Sequence, residues 1–434
     1  MKMKKRNFLN ILLVCFTVLV SSCGGSSSEE TPEVKATSIE ITSNTVEIDL
    51  GETLSFTVKD NLEANLTSTA SIYFNNSVIS GSTYTPTEDG VFAIRAEYEG
   101  MISPSIYVKV NALETLSSIV VSSSDNEILM GDTVTLSAIG NEGTDFTNES
   151  IFSVDGVEIS GNTYTPSKRG NEKITGTYGG FDSNEVILMT GYKQKVLIED
   201  YTGTWCGYCP RVAYGIELVQ DDIDTAVPVA IHRGSTDSSS GSYDPYNYPA
   251  KALEDYIGLS GYPTAMINRK ISWSYPEPSN VNQVKYKVEI GGQQKVNNLG
   301  IKIESILAGN TLDIVVNTGT ISDLNGERLV VYILENGLKF NQANYTTYYG
   351  GQSVLLDFTH DNVLRQVPTD LFGDAITSDE LNATTNTYEK TFSIDLTASI
   401  ENKDNLDVVA FIVNTSGEVV NVQVSKIGET KDFE

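Results

Sequence analysis

Between residues 38 and 190 the chain repeats itself at a fixed offset of 80. Ser38-Ile39-Glu40-Ile41 returns as Ser118-Ile119-Val120-Val121, Gly51-Glu52-Thr53 as Gly131-Asp132-Thr133, and Tyr84-Thr85-Pro86 as Tyr164-Thr165-Pro166. A repeat of this length is one folding unit used twice. Inside each copy, segments such as Leu54-Ser55-Phe56-Thr57-Val58 and Val134-Thr135-Leu136-Ser137-Ala138 alternate apolar with polar residues, and Gly, Asn, Asp and Pro separate them. A period of two puts one face of a strand in a core and the other in water. Two successive β-sandwiches are expected, over 38–112 and 113–190. Neither contains Cys, so apolar packing alone must hold their sheets together.

The rest of the chain extends this bias. Tyr, Thr, Val, Ile, Ser and Gly are frequent, which favours strands over helices, and 434 residues are enough for three or four domains. Acidic side chains outnumber basic ones by 57 to 29, a formal charge of −28. A surface that tracks phosphates needs clustered Lys and Arg, so nucleic acid is excluded as a partner.

Lys2, Lys4, Lys5 and Arg6 precede an apolar run from Phe8 to Val20, the layout of a secretory signal peptide over residues 1–22. A bilayer span needs about 20 apolar residues, more than this run supplies. The junction Val20-Ser21-Ser22-Cys23 resembles a lipobox, which implies that Cys23 is acylated and begins the mature chain. Residues 23–37 then form the lipid anchor and a polar tether that opens Gly24-Gly25-Ser26-Ser27-Ser28. Gly24 after the Cys resembles lipoproteins sent to the outer membrane of Gram-negative bacteria, and Ser28-Glu29-Glu30 resembles a tract that sends some of them to the cell surface. Outer-membrane lipid is the implied partner of Cys23.

Residues 191–296 carry the chemistry. Val196-Leu197-Ile198 reads as a buried parallel strand, and it leads through Glu199-Asp200-Tyr201-Thr202 to Trp205-Cys206-Gly207-Tyr208-Cys209-Pro210. Cys206 and Cys209 are the mature chain's only Cys besides Cys23. A Cys-x-x-Cys pair where a strand turns into a helix places a sulfur beside unpaired helix N–H groups, which favour the thiolate, and a second sulfur within bonding reach.

These residues resemble the thioredoxin superfamily. Trp205 precedes the motif, Pro210 follows it, and Asp200 stands where that superfamily carries a buried acid serving the second Cys. Ala226-Val227-Pro228-Val229-Ala230-Ile231 reads as the next parallel strand, and Gly261-Tyr262-Pro263-Thr264 resembles the cis-proline loop. The resemblance implies an α/β domain in which Cys206 attacks a protein or peptide disulfide, Cys209 resolves it and Asp200 accepts a proton. Trp205, Tyr262, Pro263 and Thr264 would meet the substrate. No cofactor is needed beyond the redox-active Cys206–Cys209 disulfide.

The residues alone leave alternatives open. Glu199 competes with Asp200, because strand alternation sends neighbours to opposite faces and a one-residue slip exchanges them. His232 ends the second strand and either tunes the thiolate or sits in an exposed loop. The Cys pair also reads as a purely structural disulfide. A zinc site needs four ligands, and His232 and His360, the remaining candidates, fall in separate expected domains, so no metal is expected. Gly234 to Gly241 reads as a surface excursion, Ala250 to Ile257 as a short helix and Ser279 to Ile290 as another.

Alternation returns from Leu299, in Ile301–Glu304, Thr311–Val316, Leu329–Leu334, Thr391–Leu396 and Leu406–Val413, giving a C-terminal β-sandwich over 297–427. Residues 341–390 read as a long polar, Tyr-rich loop containing His360-Asp361-Asn362-Val363-Leu364-Arg365. The expected fold class is multidomain and mostly β: two sandwiches that resemble bacterial immunoglobulin-like domains, as in Gly90-Val91-Phe92-Ala93-Ile94-Arg95-Ala96, then the thioredoxin-like domain and the C-terminal sandwich. From residue 191 to about 427, this arrangement resembles the twenty-eight-kilodalton outer membrane protein family of Gram-negative lipoproteins. Two functions follow: a lipid-anchored thiol-disulfide oxidoreductase, or a surface adhesion or binding lipoprotein that uses the thioredoxin-like domain as a scaffold.

Overall fold

The computed structural model describes residues 34–112, 115–273, 296–324, 326–382 and 384–434. The signal peptide, Cys23 with most of its tether, and the helix expected over 279–290 lie outside the described residues. The chain divides into two compact units after Thr115.

In the first unit Ile39–Ser43 pairs antiparallel with Leu54–Asp60, which pairs in turn with Thr83–Tyr84. A second sheet runs through Glu47–Asp49, Ile106–Asn111, Gly90–Tyr98 and Ser71–Phe74. Leu54–Asp60 buries every second residue, as its alternation requires. Ile41, Leu54 and Val58 from one sheet meet Ile72, Ile94 and Val108 from the other in a single core. Each such side chain contributes on the order of 1.5–3 kcal/mol by leaving water.

The second repeat, in the larger unit, copies this pairing with the offset of 80 intact. Ile39 faces Asp60 and Ile119 faces Gly140; Leu54 faces Tyr84 and Val134 faces Tyr164; Glu47 faces Lys109 and Glu127 faces Met189. Its last strand, Val186–Lys193, continues into an antiparallel pairing with Val296–Asn297. Tyr192 of that strand lies so close to Gly300 and Gly319 that a Cβ at either would come within 2.0 and 2.2 Å of its side chain. Arg169 covers the same ring at 4.6 Å.

The remaining elements build the site. They are β1 (Val196–Thr202), α1 (Pro210–Gln220), β2 (Ala226–His232), α2 (Lys251–Tyr256), β3 (Thr264–Ile267), β4 (Ile271–Trp273), β5 (Arg328–Glu335), β6 (Leu338–Ala343), β7 (Val354–His360), β8 (Val363–Gln366), β9 (Leu406–Val413) and β10 (Val419–Lys426). One twisted sheet runs β4-β3-β1-β2-β8-β5-β9-β10, with β1 and β2 parallel and β3 antiparallel to β1. All seven residues of β1 are buried, as expected for a strand covered on both faces. Val196 and Ile198 pack on Val212, Ile216 and Val219 of α1, whereas Leu197 and Tyr201 enter the core on the opposite face.

The sheet runs across the boundary expected at residue 297. The outer edge of β2 would expose unpaired backbone groups, and the Ala230 amide instead donates to the Asn362 carbonyl at 2.8 Å as β8 takes the edge. A further sheet of Leu299–Ala308, Thr311–Thr320 and Thr387–Asp395 packs on the reverse face of β5 and β9. The stretch read as a long loop carries the hairpin β6–β7 and the strand β8. A register shift between Phe340 and Gln342 breaks the alternation that marks strands in a sequence. Among the described residues, no helix is long and apolar enough to cross a membrane.

Candidate functional site

β1 delivers the chain into a tight connection before α1. The Thr204 amide donates to Asp244 Oδ2 at 2.8 Å, the Cys206 amide to the Gly203 carbonyl at 3.0 Å and the Cys209 amide to the Cys206 carbonyl at 3.1 Å. Cys209 is the N-cap of α1; its carbonyl accepts from the amides of Val212 and Ala213, and Pro210, which has no amide to leave unpaired, takes the next position. Cys206 and Cys209 are joined in a disulfide with their Cα atoms 5.4 Å apart. They are 5% and 2% exposed, whereas Tyr208 between them projects outward.

The hairpin β6–β7 belongs to this site. Gln342, itself buried, donates through Nε2 to the Cys206 carbonyl at 3.0 Å and the Gly203 carbonyl at 3.3 Å. The Ala343 amide donates to Thr204 and the Tyr345 amide to Gly207. Tyr345 then lies over Gly207, where a Cβ would meet its ring at 2.3 Å, and contacts Tyr208 edge-on at 5.6 Å. A side chain at position 207 would collide with the Tyr345 ring, which follows β6 in the hairpin connection.

On the other side, the Tyr262–Pro263 bond is cis. Tyr262 packs edge-on against Trp205 with ring centres 5.7 Å apart, and Trp205 Nε1 donates to the Arg233 carbonyl. The Tyr262 hydroxyl donates to Glu254, which also pairs with Arg233. Burial and that carboxylate push Tyr262 up to about 12. Thr264 Oγ1 donates to the Gly261 carbonyl at 2.7 Å and so braces the loop.

Glu199 and Asp200 lie on opposite faces of β1 and meet different surroundings. Glu199 is fully buried and held by Arg269 at 3.0 Å, with the hydroxyls of Tyr201 and Tyr332 also directed at it. It neutralises a buried guanidinium away from the disulfide. Asp200 points to the α1 side, where it lines a cavity of roughly 110 Å³ together with Cys209, His232 and His360; Cys206 does not line it. Burial raises the Asp200 carboxyl well above the usual carboxylate range.

His232 is not in an exposed loop: it is 2% exposed, and its Nδ1 lies 2.9 Å from Asp244 Oδ2. Burial pushes Asp244 up, but His232 and the amides of Thr204 and Tyr246 outweigh it and hold this carboxyl below its ordinary value. The two His expected in separate domains meet, with ring centres 5.2 Å apart, because β8 docks on β2. Among the described residues no three His, Cys, Asp or Glu side chains converge as metal ligands. Gln342 and Tyr345 carried no motif that tied them to the Cys pair; only their hydrogen bonds to the turn reveal them.

Fold and site together define a mostly β, multidomain protein with a buried paired-cysteine site. Residues 250–431 match the model of a family described as outer membrane protein Omp28. No curated protein matches the chain. Among solved structures, HBP35 of Porphyromonas gingivalis is similar over 54% of this chain and 76% of its own, at 19% identity and a TM-score of 0.43. Domains 4 and 5 of the S-layer protein SbsC match 36% of this chain and 99% of theirs, at 18% identity and a TM-score of 0.25.

Proposed function

We propose that this chain is a lipid-anchored outer-membrane thiol-disulfide oxidoreductase built on a thioredoxin-like domain, with two immunoglobulin-like repeats near its anchor. One observation carries the reading: the second Cys of the pair shares a cavity with a buried carboxyl whose affinity for a proton is raised by burial, while a Tyr-Pro loop packs on the Trp that precedes the pair. A disulfide needed only for stability has no use for an acid beside one sulfur, and a three-residue separation constrains little of the unfolded chain. In exchange, the Cys206 thiolate attacks a substrate disulfide and expels one substrate sulfur as a thiolate. Cys209 gives its proton to Asp200 and attacks Cys206, releasing the second substrate sulfur and reforming the pair. The family match over residues 250–431 supports the outer membrane as the location.

The test is turnover of a model peptide disulfide by the mature protein with glutathione or dithiothreitol. Turnover should vanish in Cys206→Ser, while Cys209→Ser should accumulate mixed disulfides. Turnover unchanged by Cys206→Ser would overturn the reading. Cys23→Ser should release the protein from membranes, and mass spectrometry of the mature N-terminus should find acylated Cys23.

A further inference from the structure

The cavity behind the disulfide has an inner end made from three separate parts of the chain: Asp200 on β1, His232 on β2 and His360 at the end of β7. Its outer end reaches the exposed residues Glu217, Gln220 and Asp361. Two side-chain atoms at the inner end, Asp200 Oδ1 and His360 Nε2, have no hydrogen-bond partner among the described residues. Both side chains are deeply buried, at 4% and 6% exposure. A polar group in that position is costly unless something satisfies it. Water needs roughly 10–15 Å³ and two or more polar partners, and this cavity offers both.

The state of His360 fixes which way such water points. A backbone hydrogen bond with Phe340 engages the ring, and since Nε2 is without a partner it falls to Nδ1. Burial, reinforced by the neighbouring His232, pulls the ring's pKa down to about 3, so it is neutral at ordinary pH. A neutral ring that donates from Nδ1 presents a lone pair at Nε2. Water donating one hydrogen to that lone pair has its other hydrogen free for Asp200.

We propose that this cavity holds water bridging His360 Nε2 and Asp200 Oδ1, and that His360 is thereby a positioning residue for the proton acceptor of the Cys pair. The inference rests on the redox reading above and deepens it. When Cys209 resolves a mixed disulfide, its S–H proton passes to the Asp200 carboxylate. Its sulfur electron pair forms the bond to Cys206, and the broken Cys206–substrate bond leaves its pair on the substrate thiolate. The substrate disulfide is thus reduced by two electrons and the Cys pair oxidised by two. Before that step Asp200 must be a carboxylate in a buried site, and water oriented by His360 donates to that anion.

The test follows Asp200 itself in the full-length mature protein. Carboxyl ¹³C NMR of Asp-labelled protein, with the Asp200 signal assigned by its loss in Asp200→Asn, gives the midpoint of its titration. Glu217, His232 with Asp244, Lys339, Tyr349 and Asp361 border the cavity or act on its groups, and their contributions are common to all variants. His360→Phe removes the acceptor and should raise the Asp200 midpoint by about one pH unit, a tenfold change in its ionisation. His360→Leu makes the same change with less bulk should Phe not fit. His360→Gln, whose side-chain oxygen is again an acceptor, should hold the midpoint within about 0.3 unit of the native value. The pH profile of disulfide turnover should move with the midpoint, and Asp200→Asn should abolish the effect of His360→Phe on it. An Asp200 midpoint unmoved in the Phe and Leu variants, or moved equally by Gln, would overturn the proposal. If the midpoint moves as expected but the wild-type protein turns over no disulfide, the bridge stands and the redox reading alone fails.

Discussion

At the scale of the residue, neighbours in sequence have opposite fates. Asp200 is held above its ordinary pKa by burial, so the folded state binds a proton that the unfolded state releases above about pH 3.9. Because the folded state binds more protons, stability falls as pH rises through that window, by roughly 1.4 kcal/mol per unit until the folded-state pKa is reached. Asp200→Asn should therefore raise the melting temperature at pH 7 and lose that advantage at pH 3, as thermal unfolding across pH will read. His360 has the opposite sign. Its depressed pKa means that the unfolded state binds more protons between about 6.5 and about 3, so stability falls as pH drops through that range. His360→Gln should flatten the acid limb. Glu199 belongs to the scaffold: its pair with Arg269 has both side chains fully buried, and Arg269→Leu should cost about 3–5 kcal/mol in urea unfolding by stranding a charge. The sequence named Asp200 and Glu199 together but not which face each takes; one residue of register separates the two assignments, and only the packing of α1 on Val196 and Ile198 fixes it.

At the scale of the element, the hairpin β6–β7 converts a pair of cysteines at a helix end into an enclosed site. Gln342 satisfies the carbonyls of Gly203 and Cys206, and the amides of Ala343 and Tyr345 satisfy those of Thr204 and Gly207. Replacing Gln342 with Ala takes one of two donors from each of these carbonyls, which keep the amides of Cys206 and Cys209, and costs about 1 kcal/mol. The expected consequence is local. Amide exchange over 203–209 should accelerate and the reduced cysteines should alkylate faster, while exchange in the first repeat stays as it was. Unchanged exchange over 203–209 would remove the hairpin from the site. A residue such as Gln342 leaves no periodic trace, because its side chain serves hydrogen bonds to a distant turn rather than an apolar face, and the register shift beside it breaks the alternation of β6.

At the scale of the whole molecule, the two repeats are alike in sequence but not in attachment. The first is a compact unit of its own, whereas the second shares a unit with the rest, through the pairing of Val186–Lys193 with Val296–Asn297 and the Tyr192 ring on Gly300 and Gly319. A spacer reading of both repeats would let residues 38–190 be removed together. The structure redraws that cut: deleting 34–115 should leave the melting temperature of the larger unit and its disulfide turnover nearly unchanged. Deleting 34–193 should lower that temperature by several degrees or abolish folding, because it removes the pairing of Tyr192 with Asn297 and Lys193 with Val296 and takes the Tyr192 ring off Gly300 and Gly319. Equal melting temperatures for the two deletions would contradict this division.

What the sequence determined is everything that depends on local pattern. The offset of 80 set two equivalent strand registers, continuous apolar residues marked the buried β1, and Cys-Gly-Tyr-Cys-Pro placed a sulfur pair at the start of a helix. What tertiary structure decided is which distant pieces share an edge. Ala230 accepts β8 because an edge strand must satisfy its backbone, and that single pairing brings His360 beside His232 and carries a C-terminal hairpin over Cys206. Backbone amides along a free edge are alike whatever side chains they bear, so pattern names the strand but not its neighbour.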